Sequence, residues 1–341
     1  MGKRVFWFLL AWMVMVSLAG GGVNAQEPIV IKAVTYAPPN HISVDPVLIL
    51  IDKINTLGKG RVKIDLIGGP EVIAPFDMPQ ALKSGAIDMV AYIPMSYMKS
   101  IVPEAEAKGV SEIAEWEERK SGAYDLWCEI FAKKGNIKYL GRFHSLSPFR
   151  VYCNKKIEKI ADFKGMKMRV NPLYIPFMKA LGVAPVSAPP TEIYTLLERK
   201  VVEGTMWPTH GMISFGFHKL LKYAIEPGVF QIDTSTHMNL DKWNKLPKDV
   251  QDLIMGVMQD MEWIGSMRGM VRTEAEGNVK KRAGMQFIQL PKEEAETFQK
   301  IAYEKTWEYI IGISPEYGPK LKKLTQKAAV PKGSFPWMVD F

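Results

Sequence analysis

Short apolar runs alternate with stretches of helical periodicity along most of the chain. After Gln26, the segments IVIKAVTY, RVKIDLI and IDMVAY have the composition of β-strands, whereas residues 44–57 and 77–84 have the spacing of amphipathic helices. Gly68-Gly69-Pro70 is a clear break between two such elements. Strands that alternate with helices in this way predict a βαβαβ unit with a mostly parallel sheet.

A second unit of the same kind is predicted from near Ser147-Pro148 to about Phe230. Within it, residues 161–208 predict a strand, a helix, a strand, a helix and a strand in turn. Between the two units, residues 109–134 predict one helix and IKYLGRF predicts a strand. The predicted fold class is therefore α/β, with two lobes and a cleft between them.

A very long helix is predicted for the segment that begins LPKDVQDLIMGVM and ends VKKRAG. Its apolar residues recur at spacings of three and four. About 30 residues at about 1.5 Å each span roughly 50 Å, which exceeds the width of one lobe. The segment lacks sustained heptads with flanking charges, so we expect a helix that bridges both lobes rather than a coiled coil. A strand, MQFIQL, and a further helix follow, and residues 331–341 are expected to be an irregular tail.

The first 25 residues have the features of a secretory signal peptide. Lys3 and Arg4 precede an apolar run, and Val23-Asn24-Ala25 offers small residues for cleavage. An uncleaved membrane anchor is the alternative, but the apolar run is short for a bilayer span. We therefore expect an exported protein that works in the periplasm.

Composition and charge argue against a nucleic-acid partner. Apolar residues make up 47% and charged residues 23% of the chain, which are ordinary globular values. The formal charge of +8 becomes +6 without Lys3 and Arg4, with 42 basic against 36 acidic side chains. The basic residues are scattered and form no dense stripe, so they indicate only a mild positive field that favours anionic ligands.

Few residues are arranged for catalysis or for metal binding. The five histidines are dispersed, and the sequence contains no H-E-x-x-H. Ser214 lacks the preceding glycine of a nucleophile elbow. The two cysteines, Cys128 on a helical segment and Cys153 on a strand, could pair or remain buried free thiols, and the second state is favoured. We expect no enzymatic activity, no cofactor and no metal.

The candidate for ligand binding is Arg169, at the end of the strand in KGMKMRV. A guanidinium matches the two oxygens of a carboxylate and stays charged at any relevant pH. The alternative is a surface arginine paired with Asp162 or Glu203. Arg150 is a second candidate on a neighbouring strand, and Trp207 is either plain packing or a wall of the ligand site.

Several segments in order carry a resemblance to a known family. KAVTYAPPNH, GKGRVKIDLIGGPEVI, MPQALKSGAIDMVAY, IADFKGMKMRV and VVEG, followed by the long helix, resemble the DctP-type substrate-binding proteins of TRAP (tripartite ATP-independent periplasmic) transporters. The resemblance covers about residues 29–312. It implies a monomeric two-lobe periplasmic binding protein that closes around an organic acid and delivers it to a membrane permease.

The resemblance also implies lobe boundaries and hinges. Lobe I comprises residues 26–147 plus about 234–273, and lobe II comprises 148–233 plus about 274–330. The hinge elements are expected near residues 146–148 and 232–236, together with the long helix. The remaining alternatives are an ABC-type binding protein, a periplasmic sensor subunit for the same kind of ligand, or an enzyme.

The site residues follow from the same resemblance. In the family, the arginine at the position of Arg169 contacts the ligand carboxylate through both oxygens. Arg150 is one residue out of register with a second family arginine, so its role stays open. Aromatic groups replace amides or charges at several positions, which predicts an acid with an apolar or aromatic body. The predicted ligand-binding residues are Arg169, Arg150, Trp207, Tyr36, Phe76, Tyr92 and Asn171.

Overall fold

The computed structural model describes residues 27–144 and 147–327. The expected signal peptide, the irregular tail and residue 146 of the expected hinge lie outside these residues. The strands of the described part are β1 Ile29–Thr35, β2 Val62–Gly68, β3 Met89–Pro94, β4 Ile137–Arg142, β5 Phe149–Cys153, β6 Lys167–Val170, β7 Ala184–Ser187, β8 Gly204–Pro208, β9 Tyr223–Val229, β10 Thr234–Asn239 and β11 Gln286–Gln289. Its α-helices are α1 Asp45–Leu57, α2 Met78–Ser84, α3 Glu115–Ser121, α4 Ala123–Gly135, α5 Ile175–Ala180, α6 Ile193–Glu198, α7 Leu240–Asn244, α8 Lys248–Arg282, α9 Lys292–Ile313 and α10 Gly318–Thr325.

Two separate sheets define the two lobes. Lobe I contains the five-stranded sheet with the order β2-β1-β3-β10-β4, and lobe II contains the six-stranded sheet with the order β11-β9-β5-β8-β6-β7. The α/β fold class with two lobes is confirmed. The residue boundaries proposed for the lobes stay a prediction, which the membership of the strands supports.

The sheets are parallel except where the chain passes from one lobe to the other. β1 runs parallel to β2 and β3, and β6 runs parallel to β7 and β8. By contrast, β5 is antiparallel to β8 and β9, and β10 is antiparallel to β3 and β4. β5 and β10 are the strands that arrive directly from the other lobe. Each follows the preceding strand, in the other lobe, after a connection of four to six residues, which is too short for a crossover helix, so they enter their sheets in the opposite direction.

The long helix α8 contacts both lobes. Its first half is tied to lobe I by the ion pairs Arg61–Asp249, at 2.7 Å, and Arg119–Glu262, at 2.6 Å. Its second half is tied to lobe II, where Lys280 Nζ donates to Thr209 O at 2.6 Å. At about 1.5 Å per residue, its 35 residues extend about 50 Å. The bridging role predicted from the sequence is confirmed.

One predicted helix is wrong. The stretch 109–134 forms the two helices α3 and α4, and a 3-10 helix, Pro103–Val110, precedes them. Gly122 separates α3 from α4 with a backbone φ of +84°, a left-handed conformation that favours glycine and ends a helix. The helical periodicity of this stretch continues across the break, which is why it predicted one element.

The two cysteines are free thiols that lie in different lobes. Cys128 belongs to α4, and Cys153 in β5 donates to Lys155 O at 3.0 Å. Burial raises the pKa of the Cys153 thiol to about 12, so it is inert at neutral pH. The favoured expectation of unpaired cysteines agrees with this arrangement. Within the part of the chain that the structure describes, no helix is both long and apolar enough to cross a membrane.

Candidate functional site

A cleft between the two sheets has an empty volume of about 610 Å³, which includes space open to solvent. Tyr36 and Tyr92, at the ends of β1 and β3, line it from lobe I. Arg169 and Trp207, at the ends of β6 and β8, line it from lobe II. Ligands bind beyond the carboxyl ends of parallel strands in open α/β sheets, and the volume suits a small molecule.

Arg169 is the most deeply buried cation of this cleft, with 1% of its surface exposed. It pairs with neither Asp162 nor Glu203. Instead its Nε and Nη2 both donate to Ala188 O, at 2.9 and 2.5 Å. One edge of the guanidinium is therefore held by the backbone beyond β7. At the opposite end, Nη1 and the second Nη2 hydrogen are arranged to donate two parallel hydrogen bonds to a carboxylate.

Trp207 packs beside Arg169 at the end of β8. The guanidinium carbon of Arg169 lies 5.7 Å from the indole centroid. Phe215 and Phe217 contact the same indole edge-on, at 5.4 and 5.1 Å between centroids. Trp207 therefore packs against other aromatic side chains and also lines the cleft, so the two roles considered for it are compatible. Its indole N–H has no acceptor among the described residues.

Asn171 follows β6 and lines the cleft next to Arg169. Its Oδ1 accepts from the backbone N–H of Leu173 at 3.1 Å and caps the 3-10 helix Pro172–Tyr174. Because the oxygen of the amide is committed to the cap, the amide nitrogen is the group that remains to meet a ligand. Such a nitrogen only donates, which suits a carboxylate.

Four tyrosines form an aromatic cage around the cleft. Tyr36 lies 5.5 Å from Tyr92 and 6.3 Å from Tyr97, measured between ring centroids. Tyr174 in lobe II stacks on Phe230 at 5.6 Å. Burial raises the pKa of Tyr36, Tyr92, Tyr97 and Tyr174, so all four are neutral phenols at physiological pH. They offer ring faces and hydroxyl groups, but no charge.

Two histidines lie at the base of the cleft, one on each lobe. His144 follows β4, His210 follows β8, and their ring centroids are 5.4 Å apart. Nδ1 of His144 donates to Gly265 O of α8 at 2.9 Å. Burial lowers the pKa of His144 to about 4 and that of His210 well below its usual value, so both are neutral at pH 7. The two histidines are dispersed along the sequence, and only the fold brings them together.

Two charged residues of the cleft were also missed from the sequence. Arg272 of α8 donates to Ile42 O at 3.1 Å and to Asp45 Oδ2 at 2.7 Å. Asp233, in the segment between β9 and β10, accepts from the backbone N–H of Ser96 at 3.0 Å. No periodicity marks either residue, because α8 is charged over most of its length and the Asp233 segment is a connection. Among residues 27–144 and 147–327, no cluster of three or more potential metal ligands is present.

A known protein family matches most of this chain. Residues 33–311 match the DctP family, described as bacterial extracellular solute-binding protein, family 7. The chain belongs to the DctP family. The matched range agrees with the resemblance found in the sequence, and proteins of this family work outside the cytoplasm.

Two relatives match this DctP-family chain over a part of its length. It is 36% identical over 143 residues to an uncharacterized protein of Haemophilus influenzae, with 38% of this chain and 41% of that protein covered. It is 31% identical over 105 residues to a monocarboxylate 2-oxoacid-binding periplasmic protein of a Nostoc species, with 30% of this chain and 29% of that protein covered. The chain therefore spans less than half the length of each of these relatives.

A solved structure reproduces the fold over nearly the whole molecule. It is DctP7 of Bordetella pertussis, an extracytoplasmic solute receptor that binds pyroglutamic acid. The TM-score is 0.77 at 15% identity, with 87% of this chain and 99% of that chain covered. The likeness confirms the two-lobe fold of the DctP family for this chain.

The structure brings together five of the seven residues predicted for the site. Arg169, Asn171, Trp207, Tyr36 and Tyr92 all line the cleft.

The structure places the other two predicted residues outside the cleft. Arg150 forms an ion pair with Glu226, at 2.5 Å between Nε and Oε1, because β5 places it above β9. Phe76 is 40% exposed and packs against Tyr97, 4.5 Å between centroids, and it is not among the residues that line the cleft. Neither geometry supports direct contact with a ligand.

Proposed function

We propose that the protein is the extracytoplasmic solute receptor of a TRAP transporter, and that it binds a small monocarboxylate with an apolar or aromatic body. It is a monomer of two lobes, with the boundaries given above, and it reaches the periplasm through its signal peptide. It closes on the acid by hinge motion near residues 146–148 and 232–236 and passes it to the membrane permease. It acts as a receptor and not as an enzyme.

Arg169 is the observation that carries this proposal. A buried guanidinium is stable only when its charge and its donors are compensated, and the neutral Ala188 O accepts from one edge without supplying a countercharge. A ligand carboxylate on the other end supplies the missing countercharge. Asn171 and Trp207 add donors on the same wall of the cleft, where an acceptor-only group such as a carboxylate fits.

The charge of the cleft supports a monoanion. Arg272 is paired with Asp45, so among the described residues Arg169 is the cation of the lining without a carboxylate partner, and both lining histidines are neutral. One ligand carboxylate supplies that partner. A dicarboxylate leaves an excess negative charge in a buried site, which is unfavourable.

The remainder of the lining supports an apolar or aromatic body. Beyond the carboxylate end, the ligand meets the faces of Tyr36, Tyr92, Phe149 and Tyr174. Flat aromatic walls favour stacking and the burial of apolar surface, and they offer few groups to satisfy the many hydroxyls of a sugar acid. The long helix that spans both lobes favours the TRAP class over an ABC-type binding protein.

A thermal-shift screen against organic acids, followed by calorimetry, tests the proposal. Ligands of the closed state raise the melting temperature by mass action, and we expect hits among apolar or aromatic monocarboxylates rather than sialic or uronic acids. Arg169→Ala should lower the affinity of a hit about 100-fold or more, since an unpaired buried charge costs about 3–5 kcal/mol.

Arg150→Ala is the matched control, because this second arginine of lobe II pairs with Glu226 outside the cleft. It should keep the affinity of the wild type even if its melting temperature falls. Near-native affinity in Arg169→Ala would disprove the assignment of the carboxylate site. A turnover assay with the bound acid tests the absence of enzymatic activity.

A further inference from the structure

Asp233 is the one acidic side chain lining the cleft in the part of the chain that the structure describes. It lies in the short connection by which the chain returns from β9 to β10, and only 2% of its surface is exposed. Its carbonyl accepts from Met95 N–H and its Oδ2 accepts from Ser96 N–H, both at 3.0 Å. These bonds hold the carboxylate against the start of the 3-10 helix Met95–Ser100.

Asp233 and Arg169 act on the same two tyrosines. Burial raises the pKa of Tyr97, and in addition Arg169 lowers it and Asp233 raises it. Burial likewise raises the pKa of Tyr174, where Asp233 raises it further and Arg169 lowers it. All four residues line the same cleft, so the two charges and the two phenols share one partly enclosed space.

Tyr174 adds an unsatisfied polar group at this place. Its side chain is fully buried, yet its hydroxyl has no hydrogen-bond partner among the described residues. Phe149, at 4.9 Å, and Phe230, at 5.6 Å, hold the ring from two sides. A buried hydroxyl without a partner is unfavourable, so this phenol is matched to a group that arrives with the ligand.

From this arrangement we propose that Asp233 and Tyr174 form a donor-selective subsite beside Arg169. The preferred acid then carries an O–H or N–H group on its body, close to its carboxylate, and a second carboxylate in that place is rejected. Asp233 accepts the hydrogen from the ligand, and Tyr174 bonds to the same substituent. This inference rests on the proposed function, because it assumes that Arg169 holds the ligand carboxylate.

The rejection of a second carboxylate follows from the same geometry. A carboxylate beside Asp233 would place two like charges together in a buried site, and neither can donate a hydrogen bond. A hydroxyl or an amide N–H in that place instead gives a charge-assisted bond to Asp233. Two features thus favour a monocarboxylate: Arg169 is the lining cation without a carboxylate partner among the described residues, and Asp233 is placed to repel a second carboxylate.

Two matched series of acids test the subsite by calorimetry on the mature protein. The aromatic series is phenylacetate, mandelate and phenylmalonate, and the aliphatic series is 3-methylbutanoate, 2-hydroxy-3-methylbutanoate and isopropylmalonate. Each series adds to one body a hydroxyl or a second carboxylate. In at least one series we expect the hydroxy acid to bind about tenfold or more tighter than the unsubstituted acid. The dicarboxylate should bind more weakly than both.

Variants assign the effect to named residues. Asp233→Asn keeps an oxygen for Ser96 N–H, and it should reduce the preference for the hydroxy acid and improve binding of the dicarboxylate. Tyr174→Phe should reduce the preference for the hydroxy acid without improving the dicarboxylate. Asp252→Asn, at an exposed carboxylate paired with Lys248, is the control and should change neither ratio. Circular dichroism and melting temperatures verify that each variant is folded.

The outcomes separate this inference from the proposed function. Binding by the wild type that is lost in Arg169→Ala supports the carboxylate site, whatever the ratios within a series. If the ratios are then near one, or Asp233→Asn leaves them unchanged, the donor-selective subsite is wrong. Absence of binding by all six acids overturns both the proposed ligand class and the subsite.

Discussion

At the scale of single residues, the side chains of the cleft could be predicted from the sequence to different degrees. Arg169 could be predicted, because an arginine at the end of an apolar strand between two α/β elements has few structural roles. Asp233 could not be predicted, because an aspartate in a connection between strands is an ordinary turn residue. Arg150 was predicted on the same grounds as Arg169, and only the neighbouring strand β9 with Glu226 distinguishes the two.

Gly269 of α8 is packed closely against side chains of both lobes. A Cβ at this position would lie 3.0 Å from Ser147 Oγ, 3.2 Å from His144 Nδ1 and 3.3 Å from His210 Nε2. These distances are tight, and all three atoms belong to buried side chains where the lobes meet. We therefore expect Gly269→Ala to lower both the free energy of unfolding and the affinity for the ligand.

Gly277→Ala in the same helix is the control for this change. A Cβ at Gly277 meets nothing within 4 Å, so the variant should gain up to about 1 kcal/mol from the better helix propensity of alanine. Urea unfolding of the two variants measures the difference directly. Equal stabilisation by both alanines would mean that the packing at Gly269 is not limiting.

At the scale of elements, a second ring contact besides His144–His210 joins the two lobes. The ring of His41, at the start of the 3-10 helix Ile42–Val44, lies 3.9 Å from the ring of Phe215 in lobe II. Phe215 also packs on Trp207, a wall of the cleft. Phe215→Ala should remove an aromatic pair worth about 1 kcal/mol in the closed state and so raise the dissociation rate of the ligand about fivefold.

Stopped-flow fluorescence measures this dissociation rate. Phe76→Ala is the matched control, because the ring contact of Phe76 is with Tyr97 in the same lobe. The control should change the dissociation rate less than Phe215→Ala does. An unchanged rate in Phe215→Ala would show that the ring contact does not contribute to closure.

The elements themselves were predicted unevenly, and the reason is physical. α8 was predicted at nearly its full length, because apolar residues recur from Val250 to Val271 and a proline and a glycine mark the two ends of the segment. The division of residues 109–134 into α3 and α4 was missed, because one glycine in a left-handed conformation does not disturb the apolar pattern. The antiparallel direction of β5 and β10 depends on the passage between lobes, which local periodicity cannot indicate.

At the scale of the whole molecule, the packing of the two lobes makes closure sensitive to pH. His144 and His210 are buried against each other between the lobes, and burial lowers both pKa values, that of His144 to about 4. Nearby cations, Arg272 and Lys280 among them, lower the pKa of His210 further. If the lobes separate as proposed, water will reach the rings, and we expect their pKa values to return toward the ordinary value of about 6.5.

The sign of the effect follows from this difference in pKa. The open state binds protons more readily than the closed state, so acid favours opening. The affinity for the ligand should be constant above about pH 7 and should fall as the pH decreases from about 6.5 toward 5, by up to about tenfold per pH unit for each histidine. Protonation of Asp233, whose pKa burial raises, weakens this trend for an anionic ligand at the acidic end.

Titration calorimetry between about pH 5 and pH 7.5 measures this dependence, with a ligand whose own carboxyl group stays ionised over that range. The double variant His144→Gln with His210→Gln should bind with an affinity that changes much less with pH, because it lacks both groups.

His237→Gln is the control. His237 is buried within lobe I, where burial lowers its pKa to about 3, so it titrates on unfolding rather than on opening. His41 also lies between the lobes, and burial lowers its pKa. If the pH dependence persists in the double variant but disappears in His41→Gln, it belongs to His41 and not to the pair His144 and His210.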